Sequence, residues 1–596
     1  MDTKEKIISL RNEMKNEKIS VYIIPTSDFH DSEYVSPYFM TRKFFSGFTG
    51  SAGTLVVSET DASLFTDGRY FIQAENQLRG SGIVLMRSGE EGVPTVRKYV
   101  SDILPEGGNI GFDGRVVTAE TGRAYQKIAE EKNGGIVDID LADRIWKNRP
   151  TLEHTEIYLL DEKYSGKSAA EKLSDMREKM SAKKADTHII TALDEISWLF
   201  NIRADDIECC PMVLSYAVIT EKSALLFADK NACEEKVLKY LEKNGAELRP
   251  YDDIYSYAEK LSGGKVWLDE KRANYRLAEA VKNCEIISQP SPAGLLKAVK
   301  NPTEVENTKY AHLLDGIAVT KFMYWLKNNI GKIKITEASA ADFIDGLRRE
   351  VGGEHYIAPS FDTISAYNAN AAMMHYSADS GNCAVLEPRG ILLVDSGGHY
   401  FKGTTDITRT FALGEISNEV RFHFTLTLRA MLNLAAARFM HGCRGENLDI
   451  LARGIMWENG LDYRCGTGHG VGYLLSVHEG PNSFRHKLSG DRPMSAVLEE
   501  GMITTDEPGV YVEGSHGIRI ENELLCKKAE KCEYGQIMEF ETITYAPIDL
   551  DCIDPTLLES KDRDRLNAYH KTVYDKLSPY FEGDELEFLK KYTRAI

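Results

Sequence analysis

The chain has 596 residues, 42% of them apolar, and a formal charge of −19 at neutral pH, so two to four domains with buried cores are expected. The acidic surplus excludes a duplex nucleic-acid binder, which needs a basic face to displace counterions, and a polybasic membrane-surface protein. No window of about 18 apolar residues occurs, and the opening MDTKEKIISLRNEMKNEK has charges among its apolar positions and no cleavage-site pattern, so a cytoplasmic protein without membrane partners is expected.

In chain order, Ile7, Leu10 and Met14 have helical spacing, and VYIIP at 21–25 reads as a buried strand stopped by proline. Mixed α/β structure follows, with a weak internal repeat. ASLFTDGRY at 62–70 aligns with ALLFADKNA at 224–232, and NIGFDGRVVTAETGRAYQKI at 109–128 with KVWLDEKRANYRLAEAVKNC at 265–284. Their offsets nearly agree, which predicts two similar α/β modules, 1–150 and 151–300, divided near NRPTLEH at 148–154. Asp67-Gly68-Arg69 in the first copy is Asp229-Lys230-Asn231 in the second, so Arg69 is either a surface turn residue or the bearer of a task one copy performs. Ten cysteines without a C-x-x-C pair read as reduced, mostly buried thiols.

Asn301-Pro302-Thr303-Glu304 has the chemistry of a helix start, with Asn as cap, Pro first and Glu third. A third domain, 301–596, begins there and ends in an amphipathic helix with Leu566, Tyr569, Val573 and Leu577 on one face.

The chemistry concentrates in this last domain. GILLVDSGGHYFKGTTDITRTF reads as a hairpin with Asp395 on one arm and Asp406 on the other, though either aspartate alone also suits a plain turn. GMITTDEPGVYVEGSHGIRIENELL repeats the arrangement, with Glu507 before a Pro-Gly turn and Glu521 on the returning strand IRIENELL. Four converging carboxylates in a dry site require about four positive charges between them, which two divalent ions supply. The loop YRCGTGHGVG at 463–472 adds His469. Its glycines fit no phase of the dinucleotide fingerprint, and it has no lysine for a phosphate loop, so it reads as a metal-ligand loop. One imidazole among carboxylates suits Mn²⁺, Co²⁺ or Zn²⁺.

The motifs FTGSAGTLVV, FTDGRYFIQA, RIWKNRP, DEISWLFNIR, MMHY, VDSG, GTTDITRT, GTGHGVG, VHEGP, TDEPGVY and GIRIEN, in this order along nearly the full length, closely resemble those of aminopeptidase P. These are the three-domain, cytosolic-type Xaa-Pro aminopeptidases, with creatinase-like N-terminal modules and a pita-bread catalytic domain. The resemblance implies that Asp395, Asp406, His469, Glu507 and Glu521 ligate two metals, usually manganese. Asp406 and Glu521 would bridge both ions, Asp395 would chelate one, and His469 and Glu507 would hold the other. It implies substrate-binding and proton-handling roles for His375 and His478, a substrate contact for Arg69, and a supporting role for Arg519.

The implied reaction is release of the first residue from peptides with proline in second place, by a hydroxide the metals share, with Glu507 as proton acceptor. A homodimer is implied by resemblance alone. The alternatives are a prolidase acting on Xaa-Pro dipeptides and a non-catalytic protein that binds peptides or other proteins. Cys465 departs from the family, which has histidine four residues before the ligand, beside bound substrate. It is either a tolerated small residue or a source of altered substrate preference or thiol sensitivity.

Overall fold

The computed structural model describes residues 1–378, 381, 383–486 and 494–596. Two six-stranded sheets in the N-terminal half share one strand order. In the first it runs Val84–Arg87, Ala62–Thr66, Thr54–Ser58, Ile19–Pro25, Asn109–Phe112, Ile136–Asp138. In the second it runs Ala246–Arg249, Ala224–Phe227, Tyr216–Thr220, Thr187–Ile190, Lys265–Leu268, Glu285–Ile287. Parallel and antiparallel pairings agree at every step. The repeated segments are thus equivalent strands and the helices that follow them.

The two modules pack through equivalent residues. Thr118 caps the helix Ala119–Glu131 and Asn274 caps Tyr275–Ala280, and the two caps pair backbone to backbone in antiparallel fashion. Gly122 permits this approach, since a Cβ there would lie 2.3 Å from the Tyr275 ring. Together the modules make one compact unit, Met1–Asp161 with Lys167–Ala293. In it the helix Thr3–Asn16 buries Ile7, Leu10 and Met14, with Ile19, Tyr22 and Ile24 of the first strand in the same core.

One buried group gives this unit a pH dependence. His188 is fully buried, its Nδ1 2.9 Å from the Trp267 carbonyl and its Nε2 3.1 Å from Ser291 Oγ. Burial lowers its pKa to about 4, only partly opposed by the Trp267 hydrogen bond. The unfolded chain, titrating near 6.5, binds the proton first, so this stability is present above 6.5 and is lost as pH falls through about 4. At roughly 1.4 kcal/mol per unit, the total is on the order of 3 kcal/mol. We expect urea midpoints to fall across this window and His188→Asn to flatten the fall; an unchanged slope would contradict the assignment.

The second unit comprises Glu162–Gly166 and Gly294–Ile596. Its first long helix, Pro302–Asn329, starts at the expected cap. Asn301 accepts from the backbone of Thr303 and Glu304, and the Glu304 side chain reaches back to the Asn301 N–H. A three-stranded sheet holds Ile364–Tyr367, Ile391–Ser396 and Ile407–Ala412 in that order. A six-stranded sheet runs Arg438–Met440, Gly535–Thr542, Asn522–Cys532, Ile503–Asp506, Gly468–Gly470, Glu479–Phe484. Helices Pro302–Asn329, Glu337–Gly352, Asn418–Ala435 and Ser560–Leu577 share one core with the three-stranded sheet. The last of these buries Leu566, Val573 and Leu577 as its apolar stripe predicts, while Tyr569 is half-buried and hydrogen-bonded rather than purely packed.

The returning strand IRIENELL is not continuous. His516–Arg519 pairs with Gly509–Val512, and Asn522–Cys532 pairs with Ile503–Asp506. The break falls at Ile520 and Glu521, and its counterpart at Glu507 and Pro508. Glu521 and Glu507 therefore sit at a switch between two sheets, where a side chain is freed from the pleat's strict alternation.

Candidate active site

Asp395 is the penultimate residue of the buried strand Ile391–Ser396 and pairs in register with Thr408 and Ile364. Asp406 lies just before the returning strand Ile407–Ala412, and its backbone N–H donates to Glu523 Oε1 at 2.8 Å. Glu521 is hydrogen-bonded by Thr408 Oγ1 at 2.7 Å, while its N–H donates to the Thr408 carbonyl at 3.1 Å. Thr408 thus links the two hairpins.

His469 lies on the short strand Gly468–Gly470. Its Nδ1 is 2.9 Å from the Gly470 carbonyl, which turns Nε2 toward Asp406 Oδ2 at 3.4 Å and Glu507 Oε1 at 3.5 Å. The flanking glycines serve close approach. A Cβ at Gly468 would lie 1.8 Å from the Thr505 carbonyl, and one at Gly470 2.4 Å from that of Glu479. Ligand atoms of Asp406, His469 and Glu521 lie within 4.8 Å of one another, close enough to share one ion.

The electrostatics show what the cluster wants. Burial pushes the Asp406 carboxyl up to about 6, the His469 hydrogen bond opposing it and the Asp395 and Glu507 charges adding to it. Burial, then the charges of Asp406, Glu507 and Asp395, drive Glu521 well above the carboxylate range. Burial disfavours the His469 cation, yet its hydrogen bond to Asp406 and the nearby carboxylate charges lift it to about 9. This is a site with excess negative charge, drawing protons where no stronger cation stands. Asp395 Oδ1 is buried without a hydrogen-bond partner. The donor set, four carboxylates and one imidazole, fits two hard or borderline divalent ions.

Arg519 is buried among these groups. Its Nη2 grips Asp395 Oδ2, its Nη1 donates to Tyr511 Oη at 2.7 Å, and its Nε donates to Thr408 Oγ1 at 3.1 Å. Nη2 also reaches the Met374 carbonyl at 3.5 Å, so Arg519 ties the turn bearing His375 to the cluster. That turn is pinned from behind by Glu337, which accepts from Tyr367 N–H at 2.6 Å and from Tyr376 Oη at 2.8 Å. His478 meets the His469 ring edge to face at 4.3 Å between centroids.

Cys465 is half-buried and packs on the core cluster that holds Tyr463, Phe484 and Val510. Its carbonyl accepts from Arg453 Nη2 at 3.0 Å. Arg69 belongs to the first unit, where Nε and Nη2 form a two-pronged pair with Asp67, each at 2.8 Å.

Sequence reasoning missed a buried outer layer. Glu523 meets His312 at 2.9 Å while supporting Asp406. Arg409 donates to the carbonyls of Glu521 at 2.6 Å, Thr408 at 2.9 Å, Ala546 at 3.0 Å and Pro547 at 3.1 Å. It also reaches Asn522 Oδ1 at 2.9 Å and Tyr569 Oη at 2.8 Å. A charged residue inside the apolar-framed run ITRTF was the available signal for Arg409.

Family models agree with this layout. Two described as creatinase/prolidase N-terminal domains match residues 6–145 and 148–304, metallopeptidase family M24 matches 306–528, and the C-terminal region of that peptidase family matches 536–596. A probable Xaa-Pro aminopeptidase P of Tuber melanosporum is 39% identical, with all of both chains covered. Aminopeptidase P1 of Arabidopsis thaliana is 37% identical over 99% of each. The crystal structure of X-prolyl aminopeptidase from Caenorhabditis elegans, described as a cytosolic enzyme with a dinuclear active site, superposes with a TM-score of 0.94 at 33% identity over the whole of both chains.

Proposed function

The chain belongs to metallopeptidase family M24, and from that premise we propose that it is a metal-dependent Xaa-Pro aminopeptidase, releasing the first residue from peptides with proline in second position. The observation that carries this reading is the anion-rich cluster of Asp406, His469 and Glu521, set in a chain that full-length relatives of that activity match from end to end.

In this reading Asp395, Asp406, His469, Glu507 and Glu521 hold two divalent ions, most simply Mn²⁺, with Co²⁺ or Zn²⁺ as substitutes. When bound, such ions supply Lewis acidity and a water acidic enough to lose its proton near neutral pH. Glu507, half-buried at the edge of the cluster, accepts that proton. His375 and His478 handle the peptide carbonyl and the proton destined for the proline nitrogen. Arg519 keeps Asp395 directed into the cluster. Arg69 and Cys465 belong to the substrate-binding set, and Cys465→His should change the ranking of first residues by kcat/KM; an unchanged ranking would assign Cys465 to packing. The division at 1–150, 151–300 and 301–596, a homodimer and a cytoplasmic location complete the proposal. Among the described residues no helix is long and apolar enough to cross a membrane.

The test compares Xaa-Pro-Yaa tripeptides, Xaa-Pro dipeptides and Xaa-Ala-Yaa controls, with and without chelator. Release of the first residue from Xaa-Pro-Yaa alone is expected, with chelator abolishing it. Cleavage confined to dipeptides would replace the reading with a prolidase, and no turnover with any metal would leave a binding protein.

A further inference from the structure

Beneath the active-site histidines lies a buried charged group that neither metal binding nor substrate contact explains. Glu479 follows His478 and opens the strand Glu479–Phe484. Lys297 Nζ meets its Oε2 at 2.9 Å and Lys300 Nζ meets its Oε1, all three side chains being 2% exposed. Lys300 Nζ also donates to the Lys297 carbonyl at 3.0 Å. Both ammonium groups thus meet the Glu479 carboxylate away from water, where the desolvation cost is offset only by close ion pairing and hydrogen bonds.

The geometry shows what it braces. Glu479 pairs with Gly470, the residue after His469, in the antiparallel register, so its backbone lies beside the metal-ligand strand. His478 is the residue just before the strand Glu479–Phe484, so fixing Glu479 fixes the backbone from which the His478 ring meets the His469 ring at 4.3 Å. Lys300 is itself fixed. Lys300 N–H donates to the Gly501 carbonyl at 3.1 Å, Gly501 has φ +95° against the Lys300 backbone, and the next residue, Asn301, caps the helix Pro302–Asn329.

We propose that Lys297, Lys300 and Glu479 form a clamp of positioning residues that sets the His478 imidazole against the metal-ligand strand. The proposal rests on the peptidase reading and deepens it, since it assigns the clamp to the reaction rather than to the fold. Lys300→Met keeps the Lys297–Glu479 ion pair in place, and the thermal midpoint reports whether the fold is kept.

The experiment measures kcat, KM, bound metal and thermal midpoint with an Xaa-Pro-Yaa substrate for wild type, Lys300→Met, Lys300→Arg, His478→Ala and the Lys300→Met/His478→Ala pair. Lys300→Met should lower kcat about tenfold or more, the scale of losing an outer-shell support, with KM, metal content and midpoint little changed. Lys300→Arg should recover most of the loss. The double variant should be no slower than His478→Ala alone, because both changes remove one contribution. The clamp is overturned if Lys300→Met matches wild type, if the losses multiply in the double variant, or if kcat falls only together with the midpoint and Lys300→Arg fails to restore it. Absent wild-type turnover would overturn the peptidase reading and the clamp with it, whereas wild-type turnover with an indifferent Lys300→Met overturns the clamp alone.

Discussion

Replacing Asp406 with alanine is expected to reduce kcat by more than about 1,000-fold, since removing a single preorganised electrostatic group costs 100- to 1,000-fold in enzymes and loss of a metal ligand exceeds the 10- to 100-fold typical of outer-shell residues. Asp406 is the carboxylate nearest to His469 among the described ion pairs of that residue, at 3.4 Å, and Glu523 holds its backbone. The stability effect has the opposite sign from most buried deletions. Without added metal, Asp406→Ala removes one anion from a repelling set, so the metal-free variant should unfold no earlier than metal-free wild type. Divalent ion at a hundredfold excess over its dissociation constant should stabilise wild type by about 2.7 kcal/mol per site and the variant by much less. Equal stabilisation of both proteins would remove Asp406 from the metal site.

Arg409→Met should cause the largest loss of fold stability of any single change near the site. The guanidinium is buried, and its removal takes its hydrogen bonds from the carbonyls of Glu521 and Pro547 and one bond each from the Thr408 and Ala546 carbonyls, Asn522 Oδ1 and Tyr569 Oη, which keep other partners. Hydrogen bonds to charged groups contribute about 1.5–3 kcal/mol each and are not additive, so a loss of about 4 kcal/mol or more is expected. Lysine should rescue little, because one ammonium cannot reproduce the planar fork. Because Arg409 fixes the Glu521 carbonyl at 2.6 Å, activity should fall even where the variant remains folded. Chemical denaturation measures the first effect; an unfolding free energy within about 1 kcal/mol of wild type would contradict the account of Arg409.

What could be read beforehand follows from how local each signal is. Asn301 and Glu304 were legible because a cap acts within four residues. The module repeat was legible because equivalent strands and helices keep their spacing, so that Thr118 and Asn274 occupy matching caps. Asp395, Asp406, Glu507 and Glu521 stood out because carboxylates flanking apolar strands are rare unless a cation meets them. The break at Glu521 was hidden, since IRIENELL alternates smoothly and nothing local reports that its halves join different sheets. Arg409, His312 with Glu523, and the two lysines on Glu479 were also hidden. Nearly all of their partners lie more than a hundred residues away in sequence, and a buried polar contact leaves no periodic trace.

The most direct test of the central claim is a titration of chelator-stripped protein with Mn²⁺, reading release of the first residue from an Xaa-Pro-Yaa peptide against ions bound per chain. The account predicts no turnover in the stripped protein and full recovery as binding saturates at about two ions per chain, the number that balances four carboxylates. Full turnover in the stripped protein, or saturation of both ions with no turnover, would contradict it.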